Sequence, residues 1–358
     1  MIMKTSRFKL WLMISALLSA GLIASCSDDD SKDPVVADKA ALMEKIDEAE
    51  ELMSTTEEGT LEGQFLAGSK TTLQTAIDAA QDVVDNEKST QAQVNSATVN
   101  LQTAMDTYNG QLIAPIDEAN LVGRWRFDEG TGTVANDDTE NEFNGTFKTG
   151  HETWGAGVPE WTTDRFGDAG KAISFNNGAN IEVPYNTALN PTTAISISVW
   201  LKADEVRADN RFLGLHSWVG YKFQLQNLNH AFFSVGHSGG TYDKDGQVPL
   251  PLDEWHHLVA TSGGGSTIIY LDGVAIEAST YNDTPNPPVS IAANPYNLVF
   301  GQDFPTDKYA ETTTNFDTDK IIPLEWGGYF HGSLDEIRIY KSALTAAQVL
   351  SIYNSEKP

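Results

Sequence analysis

Ile195-Ser196-Ile197-Ser198-Val199-Trp200-Leu201-Lys202 alternates branched apolar residues with serines, a tryptophan and a lysine. A period of two puts one set of side chains on each face of an extended chain, so this stretch reads as a β-strand. The same reading extends outward. Tyr221, Phe223 and Leu225 alternate with Lys222 and Gln224. Ile268-Ile269-Tyr270-Leu271 runs into Asp272-Gly273, a dipeptide that favours the two-residue hairpin turn. Gly, Asn, Asp and Pro punctuate the remainder, and no helical period appears until the last dozen residues. Short strands between turn residues over 120–358 predict a two-sheet sandwich or jelly roll.

Upstream the pattern changes. Leu42, Ile46, Ala49 and Met53 follow steps of four, three and four. Leu73, Ile77, Ala80 and Val84 repeat those steps, and Val94, Ala97, Leu101, Ala104, Tyr108 and Leu112 form a third stripe. Each stripe is one apolar face of a helix. Thr90 and Gln93 have the spacing of a capping box at the start of the third helix. Gly59 and Gly63 interrupt the period between the first two. The expectation is a three-helix bundle over 38–113, followed by the sandwich: a multidomain, mainly β chain.

The first residues read as a targeting segment. Lys4, Arg7 and Lys9 precede an apolar run from Leu10 to Ile23, shorter than the roughly 20 residues that span a bilayer as a helix. Leu22-Ile23-Ala24-Ser25-Cys26 resembles the lipobox of bacterial lipoproteins. The resemblance implies a signal peptide over 1–25 and a lipid on Cys26. Ser27-Asp28-Asp29-Asp30 opens a flexible acidic tether over 26–37. It resembles the export signal of lipoproteins that reach the outer face of the outer membrane. Cys26 is the chain's single cysteine, so an internal disulfide, a zinc-thiolate site and a cysteine nucleophile are excluded. A net charge of −27 argues against nucleic acid as a partner and confines membrane contact to the lipid.

Two further resemblances bear on the domains. Gly63-Gln64-Phe65, Gly68-Ser69, Leu73, Ala76, Ile77 and Ala79, then Thr90-Gln91 and Val94, resemble the FIVAR-type helical modules of bacterial surface proteins, which serve mostly as spacers. In the sandwich, Trp125-Arg126-Phe127-Asp128-Glu129-Gly130 comes first. Ile195 to Lys202 and Trp255-His256-His257-Leu258-Val259-Ala260-Thr261 follow. Phe330-His331-Gly332-Ser333-Leu334-Asp335-Glu336-Ile337-Arg338-Ile339-Tyr340 closes the series, ahead of Ala343-Leu344-Thr345. In this order they resemble the laminin-G-like, concanavalin A-type jelly roll. The resemblance implies carbohydrate binding, in most members without catalysis.

A glucanase on this fold uses two carboxylates near 5 Å apart, usually from Glu-x-Asp-x-Glu on one strand. That triplet is absent. Glu205 with Asp209, and Asp317 with Asp319, lie in loop-like sequence, while Asp335 and Glu336 face opposite sides of a strand. Sugars stack on flat aromatic rings while amides and carboxylates take their hydroxyls. Of seven tryptophans in the domain, Trp154, Trp161, Trp218 and Trp326 lie in turn-rich sequence. Trp218 with His216 and Tyr221 is the first expected platform, and Tyr242 and Trp326 are next. First and last strands pair in the fold that the resemblance implies, so Asp128 and Asp335, with Asp137 and Asp138, form an expected structural calcium site.

The functional expectation is a surface-exposed outer-membrane lipoprotein whose jelly roll captures carbohydrate beside a surface glycan-uptake complex. A glycoside hydrolase with a different carboxylate pair and a protein-binding adhesin are the alternatives.

Overall fold

A computed structural model describes residues 36–59, 61–217, 220–237, 240–280, 296–310 and 322–358. Cys26, the signal segment and Trp218 lie outside the described residues, as do Asp317 and Asp319. Among the described residues no helix is long and apolar enough to cross a membrane.

The three apolar stripes become helices α1 (Ala40–Ser54), α2 (Ser69–Asp85) and α3 (Gln91–Asn109). Leu42, Ile46, Leu73, Ile77, Val94 and Leu101 meet in one core, and Phe65 from the α1–α2 connection stacks on Tyr108 at 4.4 Å. Thr90 and Gln93 close the capping box: Gln93 N–H donates to Thr90 Oγ1 at 3.3 Å, and Thr90 N–H donates to Gln93 Oε1 at 2.8 Å.

The remainder is a β-sandwich. Its strands are β1 (Leu121–Trp125), β2 (Val134–Ala135), β3 (Gly145–Lys148), β4 (Glu160–Thr163), β5 (Ala169–Phe175), β6 (Asn180–Val183), β7 (Ile195–Ala203), β8 (Asp209–Leu215) and β9 (Tyr221–Gln226). They continue as β10 (His230–His237), β11 (Gly240–Pro249), β12 (His256–Gly263), β13 (Ser266–Leu271), β14 (Val274–Thr280), β15 (Leu298–Phe300), β16 (Tyr309–Ala310), β17 (Ile322–Pro323) and β18 (Gly332–Tyr340). The first sheet runs β14-β13-β12-β7-β18-β5-β4, with β1 also paired to β18. The second runs β11-β10-β9-β8-β15-β6-β3-β2. First and last strands of the sandwich pair antiparallel, Trp125 opposite Ile337.

Ile195, Ile197, Val199 and Leu201 of β7 face Phe212, Phe223, Phe233 and Phe300 of the second sheet in a single core. The other face of β7 is also buried, because helix α4 (Ala346–Glu356) and the segment before it lie across the first sheet. Ser196 Oγ takes Leu344 N–H at 2.9 Å, and Trp200 Nε1–H donates to Glu356 Oε2 at 3.0 Å. Val259, Tyr340, Leu344, Val349 and Ile352 form a second apolar layer there. The hairpin between β13 and β14 turns through Asp272 (φ +50°) and Gly273 (φ +80°), the left-handed pair that a two-residue turn requires.

Candidate functional site

Three separate segments meet at one rim of the second sheet around a hollow of about 380 Å³. The first is a single 3₁₀ turn, Glu152–Trp154, whose Thr153 N–H donates to His151 Nδ1 at 3.1 Å. Gly155 follows at φ +101°, so the chain reverses and leaves Trp154 half-buried at the edge. The second is the approach to β8, carrying Glu205, Arg207 and Asp209. The third is Gly327-Gly328-Tyr329, held beside the strand-like segment after β15 by Phe330 N–H donating to Gly301 O at 2.8 Å. Both glycines are needed for that approach. A Cβ on Gly327 would sit 2.1 Å from the Tyr309 ring, and one on Gly328 would sit 2.4 Å from Asp209 O.

Trp154 and Tyr329 lie 5.3 Å apart between ring centres, tilted by 46°, and Trp154 meets the Tyr309 ring edge-on at 4.7 Å. The Arg207 guanidinium lies 4.1 Å above the Tyr329 ring. Its Nη1 donates to Tyr329 Oη at 3.2 Å and to Glu205 Oε1 at 2.7 Å. That hydrogen bond holds the Glu205 carboxyl below its ordinary range. Burial works against the charge of Arg207, but Glu205 and Tyr329 overcome it and hold the guanidinium above its usual value.

Behind the rim lies a buried ionic chain. Arg211 Nη2 donates to Asp209 Oδ1 at 3.0 Å and Nη1 to Asp303 Oδ2 at 2.7 Å, and Asp303 Oδ1 accepts the Tyr309 hydroxyl. Asp303 is wholly buried and Arg211 nearly so. Lys222 of β9 is buried close by, and desolvation with the nearby Arg211 pushes its ammonium down to about 8. The arrangement fixes Asp209 and the aromatic rim from beneath.

Two half-buried aromatic faces with an arginine and a carboxylate beside them can hold a sugar ring and bind its hydroxyls. A general acid in a glycosidase has a raised pKa at working pH. Glu205 is shifted the other way.

Residues 175–350 match a laminin-G family model of the concanavalin A-like lectin/glucanases superfamily. The sandwich is a concanavalin A-like jelly roll. No curated protein matches the sequence. Domain 4 of AbnA, an extracellular GH43 arabinanase from Geobacillus stearothermophilus, solved with arabinotriose, is 22% identical, with a TM-score of 0.45 over 65% of this chain and 98% of that one. The binding domain of Paraclostridial Mosquitocidal Protein 1 is 17% identical, with a TM-score of 0.47 over 66% of this chain and 52% of that one. The binding domain of botulinum neurotoxin DC, solved in complex with SialylT, is 11% identical, with a TM-score of 0.44 over 67% and 52%. This chain thus spans about half the length of both toxin domains.

The jelly roll redistributes the residues that the sequence singles out. Tyr221 points into the core, fully buried, its hydroxyl donating to Leu189 O at 2.8 Å, and burial raises its pKa far above the ordinary value. His216 is buried too, at φ +47°, stacked on Tyr296 at 4.4 Å. Neither presents a face to a ligand, which corrects that expected platform. Period-two alternation shows that a strand has two faces but not which one is the core. His216 instead ends an aromatic string through Tyr296, Phe304 and Tyr309 that begins at Trp154. Tyr242 is half-buried against the core. Trp326 ends the 3₁₀ turn Leu324–Trp326, directly before the glycines of the cleft.

The four expected calcium ligands do not fit a shared ion. Asp137 accepts the backbone N–H groups of Arg124, Thr139 and Phe143 at 2.9, 3.0 and 2.9 Å, and the Thr139 hydroxyl at 2.8 Å. Asp138 pairs with Arg126 at 2.6 Å, so a guanidinium already occupies the place of a cation. Asp128 is held by Lys171 at 3.3 Å, and Asp335 forms a buried pair with Arg165. First and last strands do pair, but Asp335 lies under α4 and Asp128 on an exposed edge. Among the described residues no three His, Cys, Asp or Glu side chains converge as metal ligands.

Sequence reading missed Arg207 and Tyr329, set Asp209 aside as the loop partner of Glu205, and noted Trp154 only as one of four loop tryptophans. Glycines directly beside loop aromatics, Trp154-Gly155 and Trp326-Gly327-Gly328-Tyr329, are the local signal that was there to use.

Proposed function

We propose that this chain is a surface-exposed outer-membrane lipoprotein whose jelly roll binds carbohydrate in the cleft of Trp154, Tyr329, Arg207 and Asp209. The observation that carries the reading is the pair of half-buried rings with a guanidinium and a carboxylate at their edge, on a fold whose superfamily includes lectins. Sugar-binding domains of an arabinanase and of toxins share the fold, and here the aromatic cleft supplies the chemistry. The lipobox and acidic tether support anchoring through Cys26, and the three-helix module then acts as a spacer. Tethering beside a glycan-uptake complex would keep captured chains at high local concentration.

A glycan array probed with the soluble chain Ser27–Pro358 tests this. The expected outcome is binding to one glycan class, with no product released over time. Trp154→Ala and Tyr329→Ala should each weaken it about tenfold, the loss of roughly 1.4 kcal/mol of stacking. Binding that survives both substitutions would place the site elsewhere. Absence of binding to every glycan would defeat the reading.

A further inference from the structure

We infer that this cleft selects neutral saccharides and rejects anionic ones, with Glu205 as the residue that sets the preference. The inference rests on the carbohydrate reading above and narrows it.

Recognition of a uronate or sialate is strongest where a cation is free to pair with the sugar's carboxylate, bidentate arginine above all. Among the described residues one guanidinium lines the cleft and a second lies buried behind it, and each already pairs with a carboxylate. Arg207 donates to Glu205 at 2.7 Å and its guanidinium carbon lies 4.1 Å over the Tyr329 ring. Arg211 is shared between Asp209 and Asp303 and is almost wholly buried. His331, a further basic group among the described residues of this rim, also faces Glu205, with Nδ1 3.7 Å from Oε1. Two arginines thus stand among three carboxylates, and among the described residues no lysine lines the hollow. An incoming anion would meet a guanidinium whose charge Glu205 already offsets, with the Glu205 carboxylate held beside it. The net charge of −27 adds a long-range field that repels polyanions.

What the cleft presents instead suits hydroxyls. Asp209 uses one oxygen for Arg211, yet its side chain is 48% exposed, leaving the second to accept from a sugar O–H. Arg207 engages its partners through Nη1, and its side chain is 30% exposed, so its other N–H groups remain as donors to a ring or hydroxyl oxygen. Donor and acceptor on neighbouring β8-side positions match vicinal hydroxyls of a neutral pyranose or furanose stacked on Trp154.

Matched probes test this by calorimetry: lactose against 3′-sialyllactose, and galactotriose against trigalacturonate, with other neutral trisaccharides included. The wild-type chain is expected to bind at least one neutral probe, and its anionic partner at least tenfold more weakly. Equal or tighter binding of the anionic member would overturn the selectivity while leaving carbohydrate binding intact. If no probe of either kind binds, the carbohydrate reading itself fails. Glu205→Gln, which releases Arg207 but keeps its size and a hydrogen bond, should narrow the neutral-to-anionic ratio to threefold or less. A ratio unchanged in that variant would remove Glu205 from the role assigned to it, since a purely structural residue would weaken both probes alike.

Discussion

Asp303 is the residue on which the cleft depends most. Its two oxygens join Arg211 and Tyr309 in a space closed to water. Removing one member of a buried ion pair leaves the other charge without compensation, at about 3–5 kcal/mol. Asp303→Asn is therefore expected to lose roughly that much stability in urea denaturation, and to lose glycan binding as Asp209 and the Tyr309 ring shift. Tyr309→Phe removes one hydrogen bond and keeps the ring, so about 1 kcal/mol is expected. Gly328→Ala tests the close approach of two backbones. Its Cβ would meet Asp209 O at 2.4 Å and Asp209 Cβ at 2.8 Å, and the backbone cannot step aside as a flexible side chain would. Overpacking of this kind costs about 1–3 kcal/mol, and the variant should melt earlier and bind glycan weakly. None of these couplings was legible beforehand. A buried Asp, a paired Arg and a required Gly look the same in sequence as their solvated counterparts.

At the scale of elements, α4 converts one face of the first sheet into interior. His257 on β12 stacks on Trp200 at 5.2 Å, and Ser198 Oγ lies 2.8 Å from its Nε2. Burial holds the imidazole neutral and pushes its pKa down to about 4, well below the ordinary 6.5. The sign follows from linkage. Between those values the unfolded chain takes up a proton that the folded chain refuses, so stability falls as pH drops from about 6.5 to about 4. The full effect of this one group is roughly 3 kcal/mol. His257→Gln should flatten the dependence of unfolding free energy on pH between 6.5 and 4.5, measured against wild type by denaturant titration. An unchanged slope would mean that the ring is already protonated in the fold.

The helical module and the jelly roll meet at the other side of α4. Asn354 Nδ2 donates to Gly110 O at the end of α3 at 3.0 Å, Ala114 N–H donates to Ser351 Oγ at 3.1 Å, and Gln348 Nε2 donates to Pro115 O at 2.6 Å. Ile116 packs into the apolar layer beneath the same helix. The closing helix of the sandwich therefore also clasps the connection from the spacer. Ser351→Ala combined with Asn354→Ala should speed proteolysis within residues 110–120 several-fold while both folded units remain intact. The loss corresponds to about 1 kcal/mol per hydrogen bond. An unchanged cleavage rate would show that apolar packing alone holds the junction.

The sequence by itself determined the elements. Stripes at helical spacing placed α1 to α3, Thr90 with Gln93 marked a helix start, and Asp272-Gly273 marked a hairpin, because each of these is written in neighbours within a few residues. The order of strand motifs also carried the jelly roll. Only the tertiary structure decided what each face does. It turned Tyr221 and His216 inward, matched Asp128, Asp138 and Asp335 to arginines and a lysine, and covered Trp200 with α4. It also brought Trp154, Arg207 and Tyr329 together from three distant segments. Local pattern fixes the period of a strand but not its register or its partner. A binding cleft is made of contacts between segments, whose pairing is settled only when two sheets close over one core.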